Sequence, residues 1–112
     1  MTGSWPAPFS ISIDDQPAQA LIAVGGELDL GTAPTLEDAV MARLQGGGHV
    51  VLDLRGLDFM DSTGVRVIVA AHVAAGENGG RLSLVRLAPG TPIHRVLEIS
   101  GLDRVLDLVD DV

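Results

Sequence analysis

His49-Val50-Val51-Leu52-Asp53-Leu54 is apolar almost throughout, and Phe59-Met60-Asp61-Ser62-Thr63-Gly64 follows it and opens a long apolar segment. The first run reads as a strand buried on both faces. Arg55 to Asp61 then reads as a loop. Residues from Ser62 to about Ala75 read as a helix, with Ser62 placed to be its N-cap. Val65, Ile68, Val69, His72 and Val73 make a core stripe on that helix, with His72 semi-buried. Val67, Ala70, Ala71 and Ala74 make the opposite side apolar as well. A helix that is apolar nearly all round is buried or presents a contact surface. Val67 and Ala71 are the exposed aliphatics expected on such a surface. Function in an open α/β sheet gathers beyond the carboxyl ends of strands, which draws attention to the segment just before this helix.

Outward from this centre the chain alternates strands and helices. Phe9 to Ile13 alternates with period two, Asp14-Asp15-Gln16-Pro17 is a turn cluster, and Ala20 to Val24 is a second short strand antiparallel to the first. Gly25-Gly26 ends or bends it. Leu36, Ala39, Val40 and Leu44 form a helical stripe after Thr32, with Pro34 in the first turn and Gly46-Gly47-Gly48 as the stop. That helix is long enough to cross over, so the strands on either side of it are expected to be parallel. Downstream, Arg81 to Arg86 alternates, with Leu82, Leu84 and Leu87 on one face. Thr91-Pro92 opens a third helix with Ile93, Val96 and Leu97 as its apolar face, and Gly101 stands just past its end. Val105 to Val109 fits a short strand or a helical turn. The expectation is an α/β domain over residues 9–112, preceded by a loose leader, 1–8. Trp5 and Phe9 are candidates to cover a sheet edge.

Composition removes several classes of function. The chain has 112 residues, 46% of them hydrophobic, which is enough for a real core. Its net charge of −8 argues against binding duplex DNA or an anionic lipid surface. With no cysteine, thiolate catalysis and cysteine-ligated metals are excluded. No apolar run approaches a membrane span, and no secretory signal is visible, so a cytoplasmic protein is expected. His49, His72 and His94 have no metal-ligand spacing. Gly46-Gly47-Gly48-His49 lacks the Lys-Ser/Thr of a P-loop. Glu27 and Asp29 imply neither a nucleophile nor a substrate pocket, and the acids at 103, 107, 110 and 111 look like a solvated terminal edge. No constellation of nucleophile, base and orienting group is visible, so no enzyme, metal or cofactor is expected.

Two readings of Ser62 stand side by side. It is a simple helix cap, or it accepts a phosphoryl group, which a helix N-terminus with its free N–H donors tolerates. Arg66 lies four residues further on, on the same helical face. It is a solvated arginine, a partner for a phosphate on Ser62, or a selector of an acidic partner.

Taken together, Gly26-Glu27-Leu28-Asp29, Thr32-Ala33-Pro34-Thr35-Leu36, Val51-Leu52-Asp53-Leu54, Phe59-Met60-Asp61-Ser62-Thr63-Gly64 and Ile99-Ser100-Gly101-Leu102 resemble the bacterial anti-anti-sigma factor family of single STAS domains. The likeness runs from about residue 9 to residue 109. It implies a small mixed sheet of four to five strands with helices mainly on one face. It also implies partner switching in transcription regulation and stress response. The unphosphorylated protein binds an anti-sigma factor that is a serine kinase, phosphorylation releases it, and a metal-dependent serine phosphatase resets it. The resemblance makes Ser62 the phosphoacceptor. Gly26, Glu27, Leu28, Asp29, Asp61, Thr63, Gly64, Arg66 and Val67 become partner-binding residues, with Gly64 allowing close approach of a partner or tight helix packing. Arg66 departs from the small residue common in the family. The alternatives are an unphosphorylated STAS subunit of a transport or signalling complex, and a small-molecule or nucleotide sensor.

Overall fold

The structure, a computed structural model, describes residues 8–110. Most of the expected leader, Trp5 and Asp111 lie outside these residues. β1 (Ser10–Asp15) and β2 (Ala20–Leu28) form an antiparallel hairpin in which Ile11 faces Val24. α1 (Ala33–Leu44) leads to β3 (His49–Met60), and α2 (Ser62–Glu77) leads to β4 (Arg81–Val85). α3 (Pro92–Ser100) and the single turn α4 (Leu102–Val105) lead to β5 (Asp107–Val109), so the ambiguous tail holds both a helical turn and a strand. The sheet order is β1-β2-β3-β4-β5, and every pair after the first is parallel.

Parallel strands laid down in sequence order by right-handed crossovers put their helices on one face. The core follows that rule. Ile22, Val24 and Leu28 of β2, Val50, Leu52 and Leu54 of β3, and Leu82 and Leu84 of β4 form one cluster with Leu36, Val40 and Leu44 of α1, Ile68 of α2 and Leu97 of α3. Burying each large aliphatic side chain stabilises the fold by roughly 1.5–3 kcal/mol. Thr91 caps α3, its hydroxyl accepting the His94 N–H, and Gly101 ends it at φ 80°.

Three expectations need correction. First, Arg55 to Asp61 is not a loop, because β3 continues to Met60 beside β2, which bends at Gly25-Gly26 and runs on to Leu28. Two irregularities in the pairing each give β3 one extra residue, between the pairs Ala23–Asp53 and Gly25–Gly56 and between Gly26–Leu57 and Glu27–Phe59. The inward side chains Leu54, Leu57 and Met60 therefore fall three apart, which breaks the period-two signal of a strand. Second, α2 is rotated from the expected stripe. Gly64, Val67, Ile68, Ala71 and Ala75 face the core, whereas Val69, His72 and Val73 are exposed. Small residues let the helix lie close, and a Cβ on Gly64 would stand 2.5 Å from Met60 Cγ and 2.9 Å from Leu28 Cδ2. Third, β4 is buried on both faces over Leu82 to Val85, and the C-terminal acids are partly engaged. Asp107 pairs with Arg81 and Asp110 with Arg86.

The face without helices carries a polar chain. The Ser83 hydroxyl donates to Asp107 Oδ2 at 2.6 Å, so at its 2.8 Å contact with His49 it must accept, and His49 carries its proton on Nε2. The Ser83 hydroxyl and the Arg81 guanidinium hold the Asp107 carboxyl below its usual range. Burial and then the charge of Arg81 disfavour the His49 imidazolium, more than Asp107 favours it. Beside this chain, the Arg55 side chain holds the Asp53 carboxyl down in the same way.

Candidate functional site

Because β3 runs to Met60, the two quoted sequence blocks end side by side. Leu28 pairs with Met60, and the Asp61 N–H donates to Leu28 O at 3.2 Å. The turn after β2 and the start of α2 thus share the carboxyl edge of the sheet.

Asp29 shapes that turn. Its Oδ1 accepts the N–H groups of Gly31 at 3.0 Å and Thr32 at 3.2 Å. The Thr32 hydroxyl accepts the Asp29 N–H at 3.0 Å and donates to Glu27 O at 2.8 Å. Leu30 is thereby lifted to the tip, 77% exposed.

Asp61 caps α2. Its backbone is extended, with φ −101° and ψ −170°, and its Oδ1 accepts the Thr63 N–H at 2.8 Å. The expected cap, Ser62, is instead the first helical residue, since the carboxylate before it already satisfies the first-turn donor. Ser62 is exposed, and its hydroxyl has no hydrogen-bond partner among the described residues.

Two grooves flank this hydroxyl. One lies between α2 and α3 and is lined by Ser62, Met60, Val65, Val96 and Ile99, with Ile99 80% exposed. The other lies between α1 and α2 and is lined by Leu30, Pro34, Glu37, Thr63, Arg66 and Val69. Of the expected contact residues, Asp61, Thr63, Glu27 and Asp29 are partly exposed and Arg66 is exposed. Gly26, Leu28, Gly64 and Val67 are buried, as is Ala71, and they support the surface from beneath. Leu30, Val69 and Ile99 are apolar surface residues that the sequence reading did not assign to the site. Ile99 gives a signal, since it falls off the Ile93, Val96, Leu97 stripe. Among the described residues no three His, Asp or Glu side chains converge as metal ligands, and no helix is long and apolar enough to cross a membrane.

This layout can be set beside known proteins. The family model described as "Mlab, STAS domain" matches residues 11–110. The anti-sigma F factor antagonist of Paenibacillus polymyxa is 31% identical over 106 residues, 92% of this chain and 88% of its own length. The crystal structure of an anti-sigma factor antagonist from Mycobacterium paratuberculosis superposes with a TM-score of 0.78 at 27% identity, covering 94% of this chain and 88% of that one. The phosphorylated form of the Bacillus cell fate determinant SpoIIAA has the same fold, with a TM-score of 0.69 at 20% identity over 89% of this chain and 91% of its own. The chain therefore belongs to the STAS-domain family, among the anti-sigma factor antagonists, which are regulatory binding proteins and not enzymes.

Proposed function

We propose that this chain is an anti-anti-sigma factor switched by phosphorylation of Ser62. Unphosphorylated, it binds an anti-sigma factor that is also an ATP-dependent serine kinase, and the sigma factor is set free. The kinase then phosphorylates Ser62 and the complex separates. A metal-dependent serine phosphatase restores the binding form, and the cycle is placed in the cytoplasm. Residues 9–112 act in it as one domain.

The observation that carries this reading is the division of labour at the start of α2. Asp61 supplies the cap, so the exposed Ser62 hydroxyl has no structural duty and is open to a kinase. A phosphate there adds up to two negative charges beside Asp61 and between two apolar grooves. At an effective dielectric of about 20, like unit charges 4 Å apart repel by roughly 4 kcal/mol before screening. A third of that is about tenfold in affinity. The same charge at a helix N-terminus is tolerated by the fold. Phosphorylation can thus remove a partner while leaving the domain intact.

The test uses the cognate kinase and labelled ATP. Ser62→Ala should take up no phosphate and should keep the kinase bound in ATP. Stoichiometric labelling of the same tryptic peptide, Gly56 to Arg66, in that variant would overturn the assignment.

A further inference from the structure

Resting on Ser62 as the modified residue, we infer that Arg66 folds onto the phosphate once it is attached, so that the modification both adds an anion and withdraws a cation from the binding surface. Ser62 and Arg66 are exposed helical residues one turn apart on α2. Such positions hold their Cβ atoms about 6 Å apart, within reach of an arginine and a phosphorylated serine. A guanidinium offers a phosphate two parallel N–H donors.

Neither side chain is engaged by another described residue. Arg43, Arg55, Arg81 and Arg86 hold Asp15, Asp53, Asp107 and Asp110. Arg66 has no ion pair or side-chain hydrogen bond among the described residues. Its acidic neighbours do not take it. Oδ1 of Asp61 is turned into the cap, Oδ1 of Asp29 into its own turn, and Glu37 of α1 lines the same groove without pairing with it. On the other side of Ser62, α3 contributes Val96, Ile99 and Ser100, none of them charged. The turn carrying both residues is also fixed in rotation, because Gly64 is seated against Met60 and Leu28. Before modification Arg66 is free to meet a carboxylate on the partner; afterwards it is occupied, and the phosphate is shielded from hydrolysis.

Phosphoserine encoded genetically at position 62 of the full chain tests this without the kinase. In a phosphorus NMR titration, Arg66→Ala should raise the second ionisation of the phosphate by about half a pH unit, with Arg66→Lys between it and the unchanged chain. Arg95→Ala, which removes a cation of α3 and not of α2, should leave it in place. A metal-dependent phosphatase should strip phosphate from the Arg66→Ala form about threefold faster. Equal ionisation in the Arg66→Ala and unchanged chains, or an equal effect of Arg95→Ala, overturns the clamp. A kinase that leaves Ser62 unmodified overturns the switch instead and does not affect this measurement.

Discussion

The Asp61 carboxylate accepts the Thr63 N–H, and the hydroxyl beside it bonds to no described residue. The two residues should therefore separate cleanly in unfolding experiments. Asp61→Ala removes a cap and should cost about 1 kcal/mol in urea denaturation. Ser62→Ala should stay within about 0.5 kcal/mol of the unchanged protein. Gly64 marks the other limit of tolerance. Gly64→Ala drives a methyl group into Met60 and Leu28 and should cost about 1–3 kcal/mol, read as a lower urea midpoint with an unchanged slope. Ser62 and Asp61 were both legible in the sequence as members of one motif. Their roles at the helix start were not, because Asp and Ser are equally good caps and only the backbone decides which of them stands outside the helix.

The same limit appears in whole elements. β3 announced itself only as far as Leu54, since its remaining inward residues, Leu57 and Met60, keep to the core through irregular pairing and not through alternation. Leu57→Ala should cost about 2–5 kcal/mol, as for a core residue, while the half-exposed Phe59 should tolerate the same change with about 1 kcal/mol. Similar losses at both positions in chemical denaturation would contradict a strand here. In α2 two apolar faces compete on paper, and side-chain volume chooses between them. The helix presses Gly64, Ala71 and Ala75 to the sheet and leaves Val69 and Val73 outside. Helices with one apolar face and a plain stop, such as α1 and α3, were readable at nearly their true limits.

Across the molecule the directions of the first three strands were legible, because connection length separates the hairpin of β1 and β2 from the crossover to β3. The electrostatics of the helix-free face were not, because His49, Ser83 and Asp107 come from three strands. That face sets the response to acid. His49 resists protonation when folded, so its share of stability is complete above about pH 6.5 and declines as pH falls below that. Asp53 and Asp107 have lowered values, so their share is present above the ordinary carboxylate range and is lost as pH falls through those values. Calorimetry should show a level melting temperature from about pH 7 to 8, a shallow decline below about 6.5 and a steep one below about 4, the last flattened by Asp107→Asn. At the margin of the sheet, β1 pairs on one side only among the described strands and ends in Asp14 and Asp15. Arg43 holds Asp15, and the charge of Asp14 guards an otherwise sticky border. Neutralising Asp14 should therefore make strand-to-strand pairing between copies easier, a hazard unrelated to signalling and set at a different end of the chain.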